Sequence, residues 1–292
     1  MSGPRNMRTT MRKFFDFPLT RIAVGIVVCM TAMLATNAVL KMIFVPEGDL
    51  AKLIRRILSL IALLAAYYFL FRRYEKREIT ELSKKHLLKE SLLGLILSTV
   101  CVSLVIGALY FLGYYEVLAV NQVSPFLLDL VVWVTLAAYE EIIFRGIVYR
   151  IIEENAGTIL ALILSTLLFG FGHIFNDNVN IFSIVSASVG GILMALLFSS
   201  TRRLWLPIAF HAGWNWAQAS FGLIVSGNEG SKANALFQAR INGPELITGG
   251  VFGPENSIIT IGLLLVVSGI AWYVMWKKGN VIRYRGLRGS KQ

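Results

Sequence analysis

FLLDLVVWVTLAAYEEIIFRGIVYRII, residues 126–152, decides how the rest of the chain is read. Its flanks are apolar enough to cross a bilayer, yet AAYEEIIFRG, residues 137–146, sets two carboxylates and a guanidinium in the middle. Each such group is costly in hydrocarbon, so an intramembrane charge is paired, functional or both. On a helix Glu141 and Arg145 stand at i and i+4, with the glutamate N-terminal, the favourable order for an ion pair. Glu140 points about 100° away around the helix, where the same arginine does not easily reach it. One carboxylate is paired and one is left over.

The composition fits a membrane setting. The 292 residues are 56% hydrophobic and only 15% charged, and the charges cluster between long apolar runs. Soluble domains interleave the two. The net charge of +11 does not call for nucleic acid, because the basic residues flank apolar runs, where headgroups and topology explain them. Cys29 and Cys101 both fall inside apolar runs and read as small apolar side chains, not a disulfide.

A membrane-crossing helix needs about 20 apolar residues. Eight candidates lie near 20–44, 57–71, 91–113, 125–148, 157–174, 181–199, 205–225 and 257–276. The expected fold is therefore all-α, a polytopic transmembrane bundle of about eight spans. The second span is short and borrows Leu53 and Ile54, with Arg55 and Arg56 snorkelling. The first resembles a signal peptide but is too long for one and reads as a retained span. Both termini are expected in the cytoplasm of a multi-pass protein of the plasma membrane, since that arrangement puts 22 of the 28 Lys and Arg on one side. The chain divides into a basic N-terminus (1–20), N-terminal helices (21–124), a catalytic core (125–225), and an outer loop, last span and basic tail (226–292). No internal repeat is evident, against transporters built from inverted halves. In SIVSASVGGILMALL, the small residues Ser183, Ala187, Gly190 or Gly191, and Ala195 form a smooth face that reads as helix packing.

Two of the three histidines lie inside apolar runs. His173 closes LLFGFGH, and His211 in IAFHAGWNWA is followed at i+4 by Asn215 on the same helix face. His86 falls in a basic loop and reads as solvated. A spare carboxylate near two imidazoles and an amide suits hydrolysis. Glu140 can take a proton from water and return it to a leaving amine. His173 can orient that water, while His211 and Asn215 can stabilise an oxyanion, a role commonly worth about 3 kcal/mol per donor. Glu141 and Arg145 would support them.

These residues resemble a known family. E-E-x-x-x-R (Glu140, Glu141, Arg145), F-x-x-x-H (Phe169, His173) and H-x-x-x-N (His211, Asn215) look like the three motifs of the CPBP group, the CAAX protease and bacteriocin-processing or Abi family. It includes the type II CAAX prenyl endopeptidases. Order and spacing match across roughly residues 125–225. The resemblance implies a glutamate-dependent intramembrane endopeptidase acting on a peptide or protein in or at the bilayer. Glu140 and His173 would activate water, and His211 and Asn215 would hold the oxyanion.

Members have also been described as metalloproteases, since His, His and Glu are plausible zinc ligands. The sequence has no H-E-x-x-H and asparagine is a poor ligand, so the expectation is no metal and no cofactor. Two other classes stay open: an ion-coupled transporter, and a catalytically idle scaffold or bacteriocin-immunity protein. Counted along straight helices at 1.5 Å per residue, Glu140 lies about 15 Å from the basic side, His211 about 9 Å and His173 about 24 Å. The average suggests a cleft open to the cytoplasm, flanked by Arg202 and Arg203.

Overall fold

The computed structural model describes residues 16–45, 48–121 and 126–284. Most of the expected basic N-terminus and the end of the tail lie outside the described residues. The helices are α1 (Pro18–Ile43), α2 (Asp49–Tyr74), α3 (Leu87–Phe111), α4 (Phe126–Glu141), α5 (Arg150–Gly172), α6 (Ile181–Thr201), α7 (Trp205–Ser220), α8 (Glu245–Thr248) and α9 (Ile258–Lys277). A π-helical segment, Ile142–Tyr149, joins α4 to α5. Among the described residues, six helical stretches are long and apolar enough to cross a membrane. One of them runs from Asp129 to Phe175 and folds back on itself, so it supplies two traverses. With the shorter α7 the bundle makes eight, as the apolar runs predict. This is an integral membrane helix bundle.

The fold-back depends on one glycine. Gly157 adopts φ 82° and ψ 167° inside α5, a conformation that side chains with a Cβ rarely accept. A Cβ there would also sit 2.8 Å from the backbone nitrogen of Tyr284. The chain after α9 closes over this turn: the Thr158 amide donates to the Ile282 carbonyl at 2.9 Å, and the Ile282 amide donates to Thr158 Oγ1 at 2.8 Å.

Close helix approach replaces the hydrophobic effect as the packing force in lipid. A Cβ on Gly94 of α3 would meet the Leu206 carbonyl of α7 at 2.7 Å, and one on Gly213 of α7 would meet Ser98 Oγ at 2.3 Å. Gly25 of α1 lies under Phe71 of α2 in the same way. The two larger of three apolar clusters follow. Leu109, Leu193, Phe210 and Met275 centre one, and Cys29, Tyr67, Phe71, Ile147 and Phe198 centre the other. Both cysteines are free and buried.

The bundle has two unlike ends. At the basic end, Glu75 accepts from Arg21 (2.6 Å), Arg77 (2.7 Å) and Arg150 (2.9 Å). At the opposite end, strands β1 (Tyr115–Val120) and β2 (Phe237–Ile241) pair antiparallel, Tyr115 opposite Ile241. The sheet does not appear in the all-helical expectation. Its strands are over a hundred residues apart, and no local pattern announces such a pairing. Two smaller expectations also change. The second span runs from Asp49 to Tyr74, longer than 57–71, because Arg55 does not snorkel but is buried against the Asn37 side chain of α1. The small face of α6 is split in use. Gly191 packs against Phe169, whereas Ala187 and Gly190 line a cavity, and a Cβ on Gly190 would meet nothing within 4 Å.

Candidate active site

The paired carboxylate is Glu141. Its side chain is 0% exposed and Arg145 is 1% exposed, with Arg145 Nη1 donating to Glu141 Oε1 at 3.0 Å. A second guanidinium nitrogen, Nη2, donates to the Gly191 carbonyl of α6 at 2.9 Å. Arg145 also stacks on Phe169, 4.4 Å from guanidinium carbon to ring centroid. That contact, favourable for a desolvated cation, gives the aromatic residue of F-x-x-x-H a purpose: it covers the arginine of E-E-x-x-x-R. The π-helical turn lies here too, a distortion that concentrates at functional sites. Its Gly146 carbonyl accepts from Tyr67 Oη at 2.9 Å and from Arg150 Nε at 2.8 Å.

Glu141 has a second partner. His211 Nδ1 lies 2.9 Å from Glu141 Oε1. An ionised carboxylate only accepts, so Nδ1 carries the proton and the ring is turned to present Nε2 elsewhere. Nε2 lies 3.9 Å from Glu140 Oε2, and Glu140 is 32% exposed. The imidazole thus bridges the buried and the open carboxylate.

His173 follows the last residue of α5, with its Nδ1 2.9 Å from the Phe169 carbonyl. A carbonyl also only accepts, so Nδ1 of His173 is a donor and its Nε2 is left as an acceptor when the ring is neutral. The Phe169 and His173 rings are 4.8 Å apart between centroids. Asn215 lies one turn beyond His211 on α7, and among the described residues no protein hydrogen bond holds its amide.

His173, His211 and Asn215 line two adjoining spaces. The inner cavity is about 80 Å³ and is closed by Phe169, Trp214 and Glu255, room enough for water at a polar site. The outer cleft is about 690 Å³ and includes Glu140, Asp177, Ser226 and Asn228. The four expected catalytic side chains therefore come together, and the expected supporting pair lies directly behind them.

The expected opening is corrected. Neither Arg202 nor Arg203 lines the two spaces at the site: Arg202 pairs with Glu153, and Arg203 Nε donates to Glu90 at 2.9 Å. Ion pairs fill the basic end, while the cleft is lined by the loops after α5 and α7 at the strand end.

Sequence reasoning missed Glu255. It lies in the turn before α9, where Ser226 Oγ donates to its Oε1 at 2.7 Å and Gln218 Nε2 approaches Oε2 at 3.4 Å. Ser186 of α6 donates to its backbone carbonyl. Burial pushes its carboxyl above the usual range, against the Ser226 hydrogen bond and the nearby His173 and His211. No spacing motif marks it; the nearest signal is an acid held between a Gly-Pro turn and the Ser257 helix cap in GPENS.

Among the described residues no three His, Cys, Asp or Glu side chains converge as a metal site. His211 commits only Nδ1, to Glu141, and His173 only its Nδ1, to the Phe169 carbonyl, so both Nε2 atoms face the site uncommitted.

Residues 122–217 match the sequence family described as type II CAAX prenyl endopeptidase Rce1-like. The match spans all three motifs and bears out the resemblance seen in them; it ends before Ser226 and Glu255. No curated protein matches the chain.

Proposed function

We propose, from the premise that residues 122–217 carry an Rce1-like domain, that this membrane protein is a glutamate-dependent intramembrane endopeptidase. The observation that carries the reading is the contrast between its two histidines. His173 is locked as an Nδ1 donor to a neutral carbonyl, which leaves Nε2 to accept a hydrogen bond from water. His211 donates Nδ1 to a buried carboxylate, a ready counter-charge for the ring, and in the proposed reaction its Nε2 carries a proton and serves as a donor.

In the proposed reaction, water held between Glu140 and His173 attacks the peptide carbonyl as Glu140 takes its proton. The carbonyl oxygen becomes the oxyanion and is met by His211 Nε2–H and the Asn215 amide. The tetrahedral intermediate then breaks its C–N bond, and Glu140 returns the proton to the leaving amine. Glu141 and Arg145 orient His211 and touch no substrate. The family acts on membrane-associated proteins, and a peptide at the bilayer is the substrate proposed here.

The reaction as drawn uses no metal. Strong chelators should leave turnover of a membrane-anchored reporter peptide unchanged, with no stoichiometric zinc in the purified active protein. Activity lost to a chelator and restored by zinc would make His173 and His211 ligands and overturn this chemistry. The bundle is proposed to sit with its basic end in the cytoplasm, the side to which the sequence assigns 22 of 28 basic residues.

A further inference from the structure

We infer that the site is entered from the extracytoplasmic face, and that its substrate is an exported, membrane-associated peptide that is cationic or uncharged around the scissile bond. This rests on the peptidase reading and the membrane orientation above.

The direction of access comes from the two ends of the bundle. At the basic end Glu75, Glu81, Glu90, Glu153 and Glu154 each hold at least one arginine, and none of these glutamates lines the two spaces at the site. The outer cleft instead runs from Glu140 and His173 to Phe175, Asn176, Asp177 and Asn228, all at the strand end. A basic end in the cytoplasm puts that mouth outside.

The charge preference comes from the lining. Glu140, Asp177 and Glu255 are the acidic side chains around the two spaces, and neither space is lined by a lysine or arginine. A free C-terminal carboxylate would find no lysine or arginine there: the His211 ring has Glu141 as its counter-charge and Glu140 beside it, so acidic groups outnumber cations around the two spaces. A basic or neutral segment within a longer peptide avoids that repulsion. Phe171 and Ile174 are exposed beside the cleft, and Phe175, 92% exposed, lines it. An apolar anchor on the substrate would lie along these side chains, at the level where the helices end.

The test uses the full chain in intact cells, with single cysteines at Asn228→Cys, at Glu229→Cys as a second strand-end reporter, and at Lys85→Cys on the basic end. A membrane-impermeant maleimide should label the strand-end pair at once and Lys85→Cys only after permeabilisation. The reverse pattern would overturn extracytoplasmic access. In detergent, Asn228→Cys combined with Glu140→Gln is then challenged with one lipid-anchored peptide in cationic, neutral and anionic versions. The cationic version should protect the cysteine at a concentration about tenfold below the anionic one. Equal protection, or stronger protection by the anionic peptide, would overturn the substrate class. Protection needs no turnover. If the wild type fails to cleave the peptide that protects best, the peptidase reading falls while access and charge preference stand.

Discussion

The basic end and the strand end of this bundle use the same residue types in opposite ways. At the basic end arginines and glutamates satisfy one another: Arg150 Nη1 alone lies 2.9 Å from Glu75 and 2.7 Å from Glu154. At the strand end, among the described residues, Glu140 has no arginine partner and the Asn215 amide has no protein hydrogen bond, and His173 turns one nitrogen into a cavity. Fully paired charges hold helices together; charge left unpaired at an open cavity is available for chemistry. Glu141 and Arg145 mark the boundary. They are paired as at the basic end, but their pairing serves His211.

The largest expected effect breaks that boundary. Glu141→Gln leaves the Arg145 guanidinium buried without its counter-charge and should cost about 3–5 kcal/mol of stability. Activity should fall as well, since His211 loses the carboxylate that orients it. Thermal unfolding in detergent measures the first and peptide turnover the second. An unchanged melt would show that Arg145 is held by Gly191 and Phe169 alone.

Acid should separate the two ends next. Burial would raise the Glu75 carboxyl, but Arg150, Arg21 and Arg77 bring it below the ordinary value; Arg77 and Tyr67 do the same for Glu81. A carboxyl depressed in the folded state contributes stability that is fully present above its unfolded pKa, about 4.3 for glutamate. That stability drains away as the pH falls through the lower folded value. Melting temperature should hold down to that range and drop below it, and Glu81→Gln should flatten the drop. A melt whose acid limb is the same in Glu81→Gln would dissociate these ion pairs from stability.

The smallest effect sharpens the comparison within one helix pair. Gly190→Ala puts a methyl into the cavity and should shift stability by less than about 0.5 kcal/mol. Gly170→Ala would drive its methyl to 2.1 Å from Ser188 Oγ and 2.8 Å from the Ile184 carbonyl, and should destabilise clearly more. Unfolding midpoints of the two variants decide the matter; equal losses would mean that the face of α6 bearing Gly190 is packed.

How much of this was legible depends on the range of each interaction. Glu141 with Arg145, and His211 with Asn215, are one helical turn apart, so spacing alone identified which carboxylate is paired and which amide shares a face with the histidine. The eight traverses were legible because each is a continuous apolar run. The β1–β2 pairing and Glu255 were not, since they join loops distant in sequence and carry no period. The cleft does not lie beside Arg202 and Arg203, where the averaged depth along straight spans puts it, because both arginines pair within the basic end. The straight-span count already placed His173 nearest the far end. Which partners the arginines choose, Glu153 and Glu90, only the fold could show.

Glu140→Gln, assayed for turnover and melting in the same preparation, tests the central division of labour most directly. The substitution keeps size and hydrogen bonding but removes the proton acceptor. Turnover should fall by at least about 10²–10⁴-fold, the range of general acid–base catalysis, with the melting temperature unchanged because no arginine loses a partner. Retained turnover, or a melting loss equal to that of Glu141→Gln, would contradict the account.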